Sequence, residues 1–357
     1  MKKVLRDKFP FFIYTIIFWF LAFMFYDVFR RMGLSDQPTV ELLQERISRL
    51  ENLELTSKIS FITGILYSFI EIGFDQPKLK RQSLGVRLAI KSGIYLLLMH
   101  FILAVGLFNL NRFLETPIDF TYLQLVTNGA VWSLTIYFFV CSVLYSFLRM
   151  VNEKFGPGVL WDMMKGKYMT PKVEKKIFMF LDLKSSTALA EKLGYLTYSA
   201  LIQQCFYDLN DVVQKHQGQI YQYVGDEAVI CWDYEKGVKE NVCIDCYFAF
   251  QRKLFSRREF YEDTFGILPV FKAGLHGGEL VVTEVGVVKK EIAYHGDVIN
   301  TTSRIQDKCN EFDAKLLISG DLLKDLSFAS DYKPALLGEV TLKGKELPVQ
   351  LHSVDAH

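Results

Sequence analysis

The sequence predicts an α-helical membrane domain followed by a domain of mixed α-helix and β-strand. Long uncharged apolar runs fall within the first 150 residues, and the remainder alternates short apolar strand patterns with helical patterns. Half of the 357 residues are hydrophobic and 15% are aromatic, which also indicates more than one unit. We therefore expect a transmembrane domain at 1–150, a linker at 151–171 and a second domain at 172–357.

The first domain is predicted to contain four membrane-spanning helices. The run 9–26 carries no charge and follows a basic N-terminus, and no small-residue cleavage site of a secretory signal comes after it. Runs 92–111 and 120–148 are also uncharged and long enough to span a bilayer. Run 59–74 is shortened by Glu71 and is the weakest of the four.

The distribution of basic residues predicts the orientation of these helices. Lys and Arg are concentrated at the N-terminus and again between residues 78 and 91, whereas segments 33–57 and 111–119 are less basic. By the positive-inside bias, the N-terminus and the whole second domain are then cytoplasmic. The expected location is the inner (plasma) membrane as a multi-pass protein, in contact with membrane lipid.

Polar residues in this domain have alternative interpretations. Glu71 and His100 lie in or near predicted spans, where an ionisable group either senses a ligand or is a satisfied structural residue. Segment 33–57 has apolar residues at heptad spacing, which fits a helix on the membrane surface or a dimer contact.

In the linker, Gly156-Pro157-Gly158 should break the helix that leaves the membrane.

The second domain is predicted to be a β-sheet with helices on one face. Its order is a strand at 175–182, helices through 187–215, a hairpin at 218–233, a helix at 236–260, strands in 270–284 and around 290–294, a helix at 298–311, a strand at 315–319 and two strands near 339–353.

Two carboxylates lie where predicted strands end. Asp182 follows the apolar run 177–181, and Asp226 lies at the tip of a predicted hairpin after Gly225. A carboxylate at such a position needs a cation, hydrogen-bond donors or water. Two strand-end carboxylates could hold two Mg²⁺ or Mn²⁺ ions about 4 Å apart for phosphoryl chemistry. A Gly-Asp hairpin alone is more often an ordinary turn.

The residues after Asp182 suggest a phosphate-binding turn. Lys184, Ser185, Ser186 and Thr187 lead directly into a helical pattern. A helix N-terminus with preceding backbone N–H groups readily binds phosphate oxygens.

Asn300 and Arg304 are four residues apart in the predicted helix 298–311 and so project from one face. Considered alone, such a pair is most often a solvated helix face. An Arg fork is also suited to a developing charge on phosphate.

Taken together, these segments resemble the class III adenylate/guanylate cyclase catalytic domain, from about residue 172 to the C-terminus. The matching blocks are FLDLKSST, YQYVGDEAVI, GLHGGELVV and GDVINTTSRIQ, in the family's order. The resemblance implies a ferredoxin-like βαββαβ core with extra C-terminal elements. It also implies a membrane-bound enzyme that makes a 3′,5′-cyclic nucleotide and pyrophosphate from a nucleoside triphosphate for intracellular signalling.

The resemblance also implies roles for individual residues. Asp182, Asp226 and the carbonyl of Leu183 would bind two Mg²⁺ or Mn²⁺ ions. Asn300 and Arg304 would contact the ribose and the phosphates. Lys343, or Lys345 as the alternative, would touch the triphosphate. In this family the carboxylates and the Asn–Arg pair of one site come from different chains, which implies a homodimer. The net charge of +1 argues against nucleic acid as a partner.

Departures from the family pattern lie mainly where the base is recognised. Gln222 stands where adenylate cyclases usually have Lys, and Ala293 stands where they usually have Asp or Thr. Ser185 replaces a common Gly. ATP is the leading substrate, with GTP or a pyrimidine triphosphate as alternatives. A catalytically inactive nucleotide-binding regulatory module is the alternative function.

Overall fold

The computed structural model describes residues 2–33, 49–74, 82–113, 129–155, 159–288, 290–327, 332–342 and 347–356. The chain forms two compact units, Met1–Phe155 and Gly156–His357. The described residues of the first unit form four long helices: α1 (Lys2–Gly33), α2 (Arg49–Phe74), α3 (Leu84–Phe113) and α4 (Gly129–Phe155).

All four helices are long and apolar enough to cross a membrane, by length and composition. Their apolar windows are Phe12–Phe29, Thr56–Phe74, Gly85–Ile102 and Val131–Asn152. The third window begins before the predicted run 92–111, because α3 is already helical at Leu84 and includes Arg87 and Lys91. The prediction of four apolar helices ahead of the second domain is therefore confirmed.

Helix α2, the weakest span by sequence, is the most buried helix of the first unit. In its apolar window 39% of the residues are buried, against 17–22% in the other three helices. Its buried face carries small and polar residues at helical spacing: Ser60, Thr63, Gly64, Tyr67, Ser68 and Glu71. A Cβ on Gly64 would lie 2.9 Å from the Cα of Ile16, so α1 and α2 approach closely there.

Glu71 is fully buried, and its carboxylate contacts polar side chains of α3 and α4. The ammonium of Lys91 lies 2.8 Å from its carboxylate, and the Tyr95 hydroxyl and the Arg149 guanidinium also contact it. The structure thus favours the structural interpretation of Glu71. His100 likewise has partners, since its Nδ1 lies 2.8 Å from the Leu96 carbonyl oxygen.

Several sequence predictions concern residues outside the described ranges. These are the apolar positions of segment 34–48, the basic residues at 78–81, the Gly-Pro-Gly of the linker and Lys343.

The described part of the second unit contains eight strands, and helix α5 precedes the first of them. In chain order its elements are α5 (Val159–Met164), β1 (Lys172–Leu183), α6 (Ser186–Leu193), α7 (Tyr195–Lys215), β2 (Gln219–Val224), β3 (Glu227–Asp233), α8 (Tyr234–Val238), a 3₁₀ turn (Lys239–Asn241), α9 (Val242–Ser256), α10 (Arg258–Phe265), β4 (Phe271–Val285), β5 (Glu291–His295), α11 (Asp297–Asp307), β6 (Leu316–Ser319), α12 (Gly320–Leu323), β7 (Tyr332–Val340) and β8 (Val349–Ala356).

The strands form one mixed sheet in the order β2-β3-β1-β4-β6-β8-β7, and β5 pairs with β4. Strand β1 lies in the interior of the sheet, antiparallel to both β3 and β4, while β6 is parallel to β4. The first four strands and the helices between them reproduce the predicted βαββαβ core. Strands β5 to β8 are the additional C-terminal elements, so this prediction is confirmed.

Apolar side chains of β1 point alternately to two cores. Ile177, Met179 and Leu181 pack with residues of α7 and α9, whereas Phe178 and Phe180 belong to the core on the other face. Helix α11 contributes Val298 to that second core. The sheet is therefore covered by helices on both faces, which corrects the prediction of helices on one face.

The single helix predicted at 236–260 is interrupted. Glu240 and Asn241 have positive φ angles of 53° and 55°, which separate α8 from α9. The Asn241 side chain bonds both backbone groups of Ser327, at 2.6 Å to its carbonyl oxygen and 3.1 Å from its N–H. This long-range contact stabilises a break that the local pattern does not indicate.

Candidate active site

Asp182 is the penultimate residue of strand β1, which lies in the interior of the sheet. Its neighbours Leu181 and Leu183 point into the core and are almost completely buried. Because side chains alternate along a strand, Asp182 points to the opposite face, where α11 packs. Its side chain is 23% exposed, so it is accessible from solvent although it lies beside the core.

Asp226 lies in the turn between β2 and β3. Gly225 provides the positive φ of 61° that this turn requires. The pairing of β1 with β3 runs as far as Leu181 opposite Ala228. Asp226 and Glu227 therefore come next to Asp182 at the end of two neighbouring strands, as the sequence predicts for the two Asp residues.

Burial and the closeness of these acids raise the pKa of two of them, Asp182 and Glu227. Burial raises the pKa of Asp182, and the charge of Asp226 adds to this effect, although a hydrogen bond from Lys272 opposes it. Burial also raises the pKa of Glu227, to about 7, with further contributions from the charges of Asp182, Asp307 and Asp226. The site thus concentrates negative charge, and a bound cation would relieve it.

One atom of this site lacks a partner. Asp226 Oδ2 is buried and accepts no hydrogen bond from the described residues. Such an oxygen is costly to bury unless a cation or water satisfies it. The described residues include no group of three or more His, Cys, Asp or Glu that could hold a metal ion. Two carboxylates still fit Mg²⁺ or Mn²⁺, since such ions commonly take their remaining ligands from water and substrate phosphates.

The turn after Asp182 has the predicted position but an unusual backbone. Ser185 adopts the left-handed conformation, with φ 59° and ψ 35°, directly before α6. This conformation explains why Gly would be favourable there. The Lys184 N–H is bonded to the Val270 carbonyl at 2.9 Å, so it belongs to the sheet rather than to the turn. Ser186 and Thr187, the first residues of α6, remain as backbone donors.

Asn300 and Arg304 lie on the outer side of α11. The helix buries Val298, Thr301, Thr302, Ile305 and Gln306, so its amphipathic pattern determines which face is outward. Asn300 is exposed and Arg304 is half-buried. Within the described ranges, no hydrogen bond or ion pair is found for either side chain, so neither is joined in this way to Asp182 or Asp226.

Two of the remaining predicted residues, Gln222 and Ala293, lie on strands of the sheet. Gln222 is exposed on β2, just after an irregularity in its pairing with β3. Ala293 lies on β5 opposite Thr283. Lys343 is outside the described residues, which include the preceding buried Leu342.

The structure adds polar contacts to the carboxylates that the sequence analysis missed, among them those of Lys272 and Gln306. Lys272 Nζ and Gln306 Nε2 lie 3.3 Å and 3.2 Å from Asp182 Oδ2. A lysine within the apolar strand FKAGL is a detectable signal, because a buried ammonium requires an acidic partner. Gln306 gives no such signal, since its contact depends on how α11 packs.

Comparison with known proteins identifies the family of the second unit. The model of the family "Adenylate and Guanylate cyclase catalytic domain" matches residues 169–354, slightly more than half of the chain. Adenylate cyclase 2 of Rhizobium meliloti (strain 1021) is 35% identical over 210 residues, which cover 59% of this chain and 58% of that protein. Adenylate cyclase 1 of the same organism is 26% identical over 183 residues, covering 49% and 27%. The chain thus spans 58% or less of the length of these curated relatives.

A solved structure supports the same fold. A bacterial light-regulated adenylyl cyclase superposes with a TM-score of 0.54 at 19% identity, covering 65% of this chain and 67% of that one. Through residues 169–354, this chain therefore belongs to the class III adenylate and guanylate cyclase catalytic domain family.

Proposed function

We propose that the protein is a membrane-bound nucleotidyl cyclase that converts ATP to 3′,5′-cyclic AMP and pyrophosphate for intracellular signalling. The observation that carries this proposal is the pair Asp182 and Asp226 at neighbouring strand ends, with one buried Asp226 oxygen lacking a partner. This is the arrangement that two-metal phosphoryl chemistry requires, and it lies within a cyclase family domain.

Asp182, Asp226 and the carbonyl of Leu183 would hold two Mg²⁺ or Mn²⁺ ions. When bound, such ions lower the pKa of the ribose 3′-hydroxyl and neutralise charge on the α-phosphate and the leaving pyrophosphate. The chain itself contributes rigidity, because both carboxylates are attached to paired strands of the central sheet.

The reaction is attack of the 3′-oxygen on the α-phosphorus, with loss of pyrophosphate and of the hydroxyl proton. Arg304 would donate to the phosphate oxygens as their charge grows, and Asn300 would orient the ribose. The backbone of Ser185, Ser186 and Thr187 would bind phosphate at the start of α6. Lys184 and Lys343 would add positive charge near the triphosphate.

The site would combine two chains of a homodimer. The carboxylates would come from one chain and the outward face of α11 from its partner. The unpaired state of Asn300 and Arg304 among the described residues supports this arrangement. The transmembrane domain at 1–150 would anchor the dimer in lipid, and linker 151–171 would join it to a cytoplasmic catalytic domain at 172–357.

ATP is the proposed substrate because the curated relatives are named adenylate cyclases. Gln222 can both donate and accept a hydrogen bond to a base, whereas Ala293 offers neither. The choice of base therefore depends mainly on Gln222 and on backbone groups.

Mixing inactive full-length variants in detergent tests the two-chain site. Asp182→Ala and Arg304→Ala should each be inactive, but their heterodimer would contain one intact site. Random pairing should restore about a quarter of wild-type cyclic nucleotide formation. As a control, mixing Asp182→Ala with Asp226→Ala should restore no activity. Both changes remove a carboxylate, so each site of the heterodimer would lack one. Failure of the first mixture, or recovery in the second, would contradict the proposal.

A further inference from the structure

We propose that Gln306 is a positioning residue for Asp182 of its own chain, and that it therefore serves a different site from Arg304. The inference rests on the proposed two-chain site. Gln306 lies only two residues after Arg304 on α11, but it points into the protein and is 4% exposed. Its side-chain amide Nε2 donates to Asp182 Oδ2 at 3.2 Å.

Tight packing of α11 on β4 determines where Gln306 lies. A Cβ on Gly274 would be 2.5 Å from the Gln306 backbone nitrogen, so only glycine allows the helix to approach this closely. Gly274 pairs with Phe180 of β1, and Lys272 pairs with Asp182. Paired residues share a face of the sheet, so Gln306 approaches Asp182 from the helix that covers that face.

Lys272 provides the second contact to the same oxygen. Its ammonium is 3.3 Å from Asp182 Oδ2 and 2.9 Å from Asn310 Oδ1, and the residue is 8% exposed. Both of these contacts go to Oδ2. Lys272 and Gln306 therefore hold the same oxygen of the Asp182 carboxylate from two different elements.

These contacts fix the orientation of the carboxylate before a cation binds. Mutation of a protein group that holds a metal-binding side chain in place commonly lowers metal affinity or activity by about 10–100-fold. Gln306 does this without charge, so it neither repels a cation nor competes with one. Helix α11 would then present Asn300 and Arg304 to the partner's carboxylates while Gln306 orients the carboxylate of its own chain.

A Mn²⁺ titration tests the contact independently of turnover. Full-length Gln306→Leu, titrated with Mn²⁺ alone and followed by electron paramagnetic resonance, should bind the ion about tenfold more weakly than wild type. Thr302→Val is the matched control: it is buried on the same helix and loses a 2.7 Å bond to the Val298 carbonyl, away from Asp182. Unchanged affinity in Gln306→Leu, or an equal loss in Thr302→Val, would overturn the proposal.

Mixing experiments then assign Gln306 to one site. Gln306→Leu mixed with Arg304→Ala should regain activity, because their heterodimer contains one site with an unaltered Asp182, Gln306 and Arg304. Gln306→Leu mixed with Asp182→Ala should show no gain over Gln306→Leu alone. The reverse result would place Gln306 with Arg304 and overturn the assignment. If the reference mixture of Asp182→Ala and Arg304→Ala fails, the two-chain site and this assignment are both rejected, while the Mn²⁺ titration still decides the contact to Asp182.

Discussion

At the scale of single residues, the site is defined by acidic groups that the fold brings together. Asp182 lies on strand β1, where the side chains before and after it are buried. Asp226 lies in a turn that contains Gly225. Burial and mutual repulsion raise the pKa of Asp182 and of Glu227. Because the acids destabilise one another, a divalent cation should stabilise the folded protein when it binds there.

We therefore expect Mn²⁺ to raise the thermal unfolding midpoint of the full-length protein, and EDTA to reverse the effect. At ten times the dissociation constant the gain is about 1.4 kcal/mol. Asp226→Asn should lose most of this gain. Asp321→Asn should keep it, because that acid is exposed and pairs with Lys324 at 3.0 Å. Equal Mn²⁺ responses in the two variants, measured by differential scanning fluorimetry, would count against the cation site.

At this scale the sequence predicted what is local. A carboxylate after an apolar run and a Gly-Asp turn are visible in the chain itself, so Asp182 and Asp226 could be found. Lys272 and Gln306 meet Asp182 only after β4 and α11 pack, and no short-range pattern contains that information. The left-handed Ser185 was also missed, because serine rarely adopts that conformation.

At the scale of elements, an ion pair joins strands β1 and β3 at one end of their pairing. Lys176 lies opposite Asp233, and its ammonium is 2.6 Å from that carboxylate. Lys236 binds the other oxygen at 2.6 Å. Although burial opposes ionisation, these two hydrogen bonds lower the pKa of Asp233 to about 2.

This shift predicts a pH-dependent stability difference between wild type and Asp233→Asn. A carboxyl whose pKa is lowered in the folded state stabilises it above the unfolded pKa of about 3.9. That stabilisation is lost as the pH falls from about 4 to about 2. At neutral pH it should be about 1 kcal/mol or less, because 48% of the Asp233 side chain is exposed and solvent screens the pair. Chemical denaturation between pH 7 and pH 3 should show the difference shrinking, and a constant difference would exclude this ion pair as its cause.

The contact of α11 with β4 provides a second prediction at this scale. Gly274→Ala would place a methyl group 2.5 Å from the Gln306 backbone nitrogen, so the helix must shift. We expect a loss of about 1–3 kcal/mol in stability. We also expect slower cyclic nucleotide formation, since α11 carries the proposed nucleotide contacts.

The matched control for this change is Gly278→Ala on the same strand. There a Cβ would meet only the Val298 side chain, at 3.1 Å. A loss of activity as large as in Gly274→Ala would show that helix displacement is not the cause.

Element types were predicted well because their patterns are periodic and local. The core strands and helix α11 fall close to their expected positions. The break between α8 and α9 was not foreseen, because it depends on Asn241 bonding Ser327 far along the chain. The position of α11 on the second face also depends on long-range packing, at Gly274.

At the scale of the whole molecule, a polar cluster joins three of the four apolar helices. Glu71 on α2 binds Lys91 on α3 and contacts Arg149 on α4. Buried ionic contacts of this kind are expensive to break when one partner is removed. Arg149 lies near the end of the last helix before the second unit, so the cluster fixes the helix from which the chain continues.

Glu71→Gln should therefore destabilise the first unit of the full-length protein by at least about 1 kcal/mol. Glu54→Gln on the same helix is the control, since the side chains of Glu54 and its partner Lys58 are 65% and 66% exposed. Such an exposed pair contributes at most about 1 kcal/mol. Thermal unfolding in detergent, monitored by circular dichroism, should show a lower midpoint only for Glu71→Gln, and equal midpoints would show that the cluster does not stabilise the helices.

The central claim is that the assembled protein makes a cyclic nucleotide at Asp182 and Asp226. The most direct measurement incubates purified full-length protein with Mn²⁺ and ATP, GTP, CTP or UTP separately, and resolves the products by mass. We predict 3′,5′-cyclic AMP and pyrophosphate in equal amounts from ATP, and neither product from the Asp182→Ala variant. A cyclic product from another triphosphate alone would contradict the proposed substrate. Nucleotide binding without any cyclic product from the four triphosphates would contradict catalysis and favour a nucleotide-binding regulatory module.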